Sequence, residues 1–190
     1  NEFINQINMC ARAFRSQGVR RGDVVTILSA NIPEAIISFY ALNKIGAVAN
    51  MVHPLSAENE IEHYLNESES KILFVLDLCY SKVRNIIDTT KVKKVIVTSV
   101  SDDLKTIKKL VYKFNSRGKV PEIELNDDIM TWREFLNYGY DYQGEVISLQ
   151  KATDPAVILY SGGTSGAPKG ILLSNLNFNA LAYQAYNMVE

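Results

Sequence analysis

Between Tyr160 and Gly170 the chain reads Tyr-Ser-Gly-Gly-Thr-Ser-Gly-Ala-Pro-Lys-Gly. Glycines at Gly162, Gly163, Gly166 and Gly170 let a main chain approach a ligand with no Cβ in the way. Successive N–H groups in such a loop can form an anion-binding concavity. Ser161, Thr164 and Ser165 add hydroxyl donors, Lys169 adds a mobile point charge, and no carboxylate interrupts the stretch. The chemistry this suits is gripping a polyphosphate. A plain turn tip is the alternative, because glycine and serine mark turns generally. The lysine, the hydroxyls and the β-favouring flanks Ala156 to Leu159 and Ile171 to Leu173 favour phosphate.

Lys169 follows Pro168 and precedes Gly170, so the Gly-Lys-Ser/Thr ending of a P-loop is absent. The glycine spacing also departs from the Gly-x-Gly-x-x-Gly of dinucleotide folds and kinases. The stretch instead resembles the signature of the adenylate-forming enzymes, which include acyl-CoA synthetases, luciferases and peptide-synthetase adenylation domains. Their loop typically reads Tyr-Thr-Ser-Gly-Thr-Thr-Gly-x-Pro-Lys-Gly. Tyr160, Gly163, Thr164, Gly166, Pro168, Lys169 and Gly170 match it. Ser161 and Ser165 replace threonines, and Gly162 stands where serine is common, removing one hydroxyl. Gly18-Val19-x-x-Gly22-Asp23, Asn31-x-Pro33-Glu34 and Gly46-Ala47-Val48 are similar to the opening of acyl-CoA synthetases.

The resemblance implies ATP-dependent activation of a small-molecule carboxylic acid to an acyl-adenylate, then thioester formation with coenzyme A, with Mg²⁺ assisting. It implies that Ser161, Gly162, Gly163, Thr164, Ser165, Gly166 and Lys169 hold the β- and γ-phosphates, in a loop loose when empty and ordered when filled. A carrier-protein-loading adenylation domain and a non-catalytic nucleotide-binding module share the loop and stay open as alternatives. The family's aromatic-Gly-x-Thr-Glu motif, ribose-binding aspartate and C-terminal-domain lysine do not occur here; Tyr138-Gly139 is followed by Tyr140-Asp141. Residues 1–190 thus read as the incomplete N-terminal part of an AMP-binding domain. The resemblance implies a C-terminal lid domain beyond these residues, and the piece alone is expected to be inactive.

Composition sets wider bounds. With 190 residues, 47% hydrophobic and 22% charged, the chain has the make-up of an ordinary globular domain. A net charge of −1 offers no global reason to expect nucleic acid. The lysines between Lys91 and Lys119 are scattered and broken by Asp102 and Asp103, as on a solvated face. Nothing at the N-terminus reads as a secretory signal, and the start without methionine suggests a trimmed piece. The apolar stretch Ala35 to Val52 is interrupted by Asn43, Lys44 and Gly46, which suits a buried helix and strand better than a membrane span. Cys10 and Cys79 read as reduced, packed thiols of a cytoplasmic protein, and His53 and His63 lack metal-like spacing.

The elements that must position the loop follow from periodicity. Phe3, Ile7, Cys10, Ala11 and Phe14 mark a helix that Gly18 can end in the left-handed region. A strand is predicted over Val24 to Leu28, then a helix capped by Asn31 with Pro33 in its first turn and Gly46 after it. The pattern continues with a strand at Ala47 to Val52 and a helix capped by Ser56 that buries Ile61, Tyr64 and Leu65. Ile72 to Leu76 reads as a strand covered on both faces. A helix through Val83, Ile86 and Ile87, a strand at Val95 to Val97 and a helix from Leu104 to Phe114 complete the alternation. Residues 118–154 read as a polar excursion around one short helix. There Thr131-x-x-Glu134 forms a capping box and Trp132 and Phe135 act as packing anchors. Gly170 to Leu173 pairs back on the preceding strand as a hairpin. A last helix, capped by Asn175, runs through Leu181, Ala182, Ala185 and Val189. Strand-helix alternation of this kind predicts an α/β domain with a mainly parallel sheet and flanking helices.

Overall fold

A computed structural model describes residues 2–100, 121–147, 150–161 and 168–188. Its centre is a seven-stranded sheet: β1 (Val24–Leu28), β2 (Val48–Val52), β3 (Ile72–Leu76), β4 (Lys94–Thr98), β5 (Ile129–Thr131), β6 (Pro155–Tyr160) and β7 (Gly170–Ser174). The spatial order is β5-β4-β3-β1-β2-β6-β7, and only β7 runs antiparallel to its neighbour. The expected α/β class with a mainly parallel sheet is the observed one. The helix expected from Leu104 to Phe114 lies outside the described residues.

The helices are α1 (Glu2–Ser16), α2 (Pro33–Ile45), α3 (Glu58–Glu67), α4 (Tyr80–Ile86), α5 (Trp132–Asp141) and α6 (Asn175–Asn187). Right-handed crossovers dictate their side. The step from β1 to β2 runs one way across the sheet and the steps from β2 to β3 and β4 run the other, so α2 takes one face and α3 and α4 take the opposite one. Helices α1 and α5 join α2, where Phe14 and Phe135 meet at 4.8 Å and Trp132 packs edge-on to Phe74 at 5.5 Å. Trp132 is therefore a core anchor. All five residues of β3 are buried, as its unbroken apolar run requires.

Several local expectations need correction. Neither Asn31 nor Ser56 caps a helix; Ile32 and Ala57 take those positions, and Glu60 Oε2 accepts the Ala57 N–H at 2.9 Å. Ser174, not Asn175, caps α6, with Asn177 Oδ1 accepting its N–H. Phe3 is exposed instead of completing the α1 stripe. Residues 129–131, read as part of an excursion, form edge strand β5 on β4. Three residues are too few to show an alternation. The apolar face expected of α6 is open: Leu181 is 63% exposed and no residue of the helix is buried. Gly18 at φ 84° and Gly46 at φ 78° end α1 and α2 as expected, and the Thr131–Glu134 capping box forms; Ile87 falls in a 3-10 turn just after α4, and Val189, expected in the last helix, lies outside the described residues.

One glycine marks a close approach. A Cβ on Gly139 would lie 2.4 Å from Met9 O and 2.8 Å from Met9 Sδ, because α5 lies directly on α1. Gly139→Ala should destabilise the fold by about 2 kcal/mol, since a backbone oxygen cannot move aside. A urea midpoint equal to that of the parent would contradict this packing.

Candidate functional site

Parallel pairing brings the carboxyl ends of β1, β2 and β6 to one edge of the sheet. That edge adjoins the reversal of strand order between β1 and β3, the kind of place where open α/β sheets bind ligands. A cavity of about 670 Å³ opens there. Ser29, His53 and Ser161 line it from the strand ends, Ile36, Phe39 and Tyr40 from α2, Tyr64 from α3 and Phe178 from α6. Its wall is mostly apolar with few polar groups, the usual make-up of a small-molecule site. Ser29 Oγ is buried with no hydrogen-bond partner among the described residues, so the cavity holds one uncommitted hydroxyl.

The glycine-rich stretch leaves the sheet at this edge. Tyr160 pairs with Gly170 across the β6–β7 hairpin, and the Ser161 N–H donates to Lys169 O at 3.1 Å. Ser161 and Lys169 are thus brought together at the neck, beside Pro168 on the cavity wall. Lys169 is exposed and makes no ion pair among the described residues. Gly162, Gly163, Thr164, Ser165 and Gly166 lie outside the described residues. Among the described residues no group of three or more His, Cys, Asp or Glu side chains could hold a metal ion.

Below the neck lies a cluster that sequence reading missed. Thr26 and Asn50, paired in register on β1 and β2, are both fully buried. Asn50 Nδ2 donates to Thr26 Oγ1 at 2.8 Å and to Ser68 Oγ at 3.1 Å, and the Thr26 hydroxyl donates to Ser70 Oγ at 2.7 Å. The available signal was a polar residue inside each of two apolar runs, because a buried polar side chain needs partners. The ring of Tyr160 stacks on Tyr64, with centroids 3.6 Å apart and planes at 23°. Burial and the Glu67 carboxylate push the Tyr160 hydroxyl above the usual phenol range, while the neighbouring Asn50 carboxamide lowers it. The phenol therefore stays neutral and able to donate at physiological pH.

The two cysteines are buried free thiols, and burial raises both above the ordinary thiol range, so neither is a ready nucleophile. His53 Nδ1 accepts from the Leu55 N–H at 3.2 Å, and His63 faces Glu67 at 3.7 Å. Of the lysines from Lys91 onward, Lys91 pairs with Glu69 and Lys94 donates to Asp127 O. No helix among the described residues is long and apolar enough to cross a membrane.

Comparison with known proteins places this arrangement. The sequence pattern of the AMP-binding enzymes matches residues 1–190. The chain belongs to the AMP-binding enzyme family. A long-chain-fatty-acid–CoA ligase of Bacillus subtilis (strain 168) is 28% identical over 181 residues, covering 95% of this AMP-binding chain and 32% of that protein. An acetyl-coenzyme A synthetase of Shewanella sp. (strain ANA-3) is 29% identical over 194 residues, 99% of this chain and 28% of that one. The chain therefore spans about a third of the length of these curated relatives. A crystal structure of a long-chain-fatty-acid-CoA ligase from Archaeoglobus fulgidus superposes with a TM-score of 0.73 at 25% identity, over 97% of this chain and 31% of its own. An anthranilate CoA ligase in complex with anthranoyl-AMP gives 0.76 at 19% identity, over 95% and 30%, a likeness of fold alone.

Asp154, just before β6, ties the strand that feeds the loop. Its carboxylate accepts from the Lys151 N–H at 3.1 Å and from Arg21 at 2.7 Å, and these contacts, the Lys151 N–H first, hold it below the usual range. A carboxyl pKa lower in the folded than in the unfolded state gives stability that is complete above about pH 4 and fades as pH falls through the folded value. Asp154→Asn should therefore lower the urea midpoint at pH 7, with the difference closing on acidification. A difference that is constant with pH would show that the carboxylate's charge is not what matters.

Proposed function

We propose that this chain is the incomplete N-terminal part of the AMP-binding domain of an ATP-dependent acyl-CoA ligase. The observation that carries the reading is the hairpin neck. It holds Ser161 and Lys169 together, at the end of a glycine-rich stretch, beside a mostly apolar cavity at the carboxyl edge of a parallel sheet. In the parent protein a carboxylate oxygen attacks the α-phosphorus of ATP, pyrophosphate leaves, and coenzyme A thiol then displaces AMP to give a thioester. Ser161, Gly162, Gly163, Thr164, Ser165, Gly166 and Lys169 grip the β- and γ-phosphates. Stabilising negative charge on the departing pyrophosphate is the loop's contribution, and pre-set donors perform it without reorganising. Mg²⁺, when bound, neutralises polyphosphate charge.

The substrate is a small-molecule carboxylic acid; the curated relatives support a fatty acid, and their names as CoA ligases favour coenzyme A over a carrier protein. A cytoplasmic location fits that chemistry. Lys169→Ala in the parent protein should lower carboxylate-dependent ATP–pyrophosphate exchange by about tenfold to a hundredfold. Exchange at the parental rate would remove the lysine from this role. The 190-residue piece should show no such exchange by itself.

A further inference from the structure

The neck of the hairpin is held from below by Tyr160, the first residue of the signature stretch, and by side chains outside it. Tyr160 ends β6, yet its ring does not point onward from the strand. It lies back over the α3 face, stacked on Tyr64, with its hydroxyl 3.5 Å from Tyr64 O. Asn50 pairs in register with Ile158, two residues before Tyr160 and on the same face of the sheet, and Asn50 Oδ1 is buried without a hydrogen-bond partner among the described residues. Opposite Tyr160, a Cβ on Gly170 would meet Tyr160 Cε1 at 3.3 Å and Ile158 Cγ2 at 3.1 Å. The ring therefore sits against the backbone of the returning strand, where glycine leaves room for it. Asn50 is itself fixed by Thr26 and Ser68.

We propose that Tyr64, Tyr160 and Asn50 form a positioning clamp that sets the neck of the phosphate loop and hence the direction in which Lys169 is presented. The clamp rests on the nucleotide reading above. None of the three need touch ATP; they act through the backbone at Tyr160–Ser161 and Lys169–Gly170. A swing at the neck is enlarged at the end of a long side chain, and a misplacement of about 1 Å in a positioned group can cost a hundredfold in rate. Tyr64 belongs to α3, so the clamp ties the loop to a helix more than ninety residues earlier in the chain.

The test compares Tyr64→Ala, Tyr64→Phe, Tyr160→Phe and Lys169→Ala in the full-length parent, reading kcat and the KM for ATP and for the carboxylic acid. Tyr64→Ala should raise the KM for ATP about tenfold, clearly more than it raises the KM for the acid, whose cavity Tyr64 also lines. Tyr64→Phe, which keeps the stack, should restore both, and Tyr160→Phe, which loses only the hydroxyl, should raise the KM for ATP about threefold. If Lys169→Ala weakens ATP use while Tyr64→Ala and Tyr160→Phe do not, the clamp is refuted and the nucleotide reading stands. If both clamp variants impair the two substrates equally, the residues are merely structural and the proposal falls. If Lys169→Ala also has no effect, the nucleotide reading falls with it. Should Tyr64→Ala fail to fold, Tyr160→Phe decides, because it deletes one oxygen and keeps the ring.

Discussion

The parallel register of β1, β2 and β6 is the constraint on which the site depends. Because the strands point the same way, Ser29, His53 and Ser161 emerge at one edge although they are far apart in sequence. An antiparallel pairing would send alternate strand ends to opposite edges. The crossover rule then adds the walls: α2 closes the cavity on one face of the sheet and α3 on the other. The single antiparallel strand, β7, turns the chain back to form the hairpin, and so places Lys169 beside Ser161.

Within that frame the sheet carries a polar node where apolar packing would be expected. Thr26, Asn50, Ser68 and Ser70 hydrogen-bond to one another at the middle of the β1–β2 pair, with further support from Leu65 O through the Ser68 hydroxyl, while Asn50 Oδ1 has no partner among the described residues. A buried network is costly unless its members are paired, and it then favours one arrangement over its neighbours. A one-residue slip between β1 and β2 would separate Thr26 from Asn50, so the node also specifies the register that aligns the strand ends.

The far side of the molecule has a different character. Ile171 and Leu172 on edge strand β7 and Leu176, Leu181, Tyr183 and Tyr186 on α6 are exposed. The β6–β7 hairpin thus lies between the well-packed part of the described chain and these exposed apolar side chains.

Long apolar runs made most strands and helices legible in the sequence: Ile72 to Leu76 reads as a covered strand, and Ile61, Tyr64 and Leu65 read as one helical face. Four glycines, three hydroxyls and a lysine in fixed order raise the expectation of phosphate binding, because backbone access and donor groups are properties of residue type. Caps were less legible. Asn31, Ser56 and Asn175 have capping side chains, but tertiary packing set the helix starts and placed Ile32, Ala57 and Ser174 there. Strand β5 was hidden because three residues paired at a sheet edge carry no periodic signal. The clamp beneath the loop is the clearest case of what tertiary structure alone decided. Tyr64 and Asn50 are unremarkable in their own segments, and they meet Tyr160 only because strand order brings β2 beside β6 and folds α3 over both. Local chemistry is written in neighbouring residues, whereas contact between distant segments depends on which strands pair.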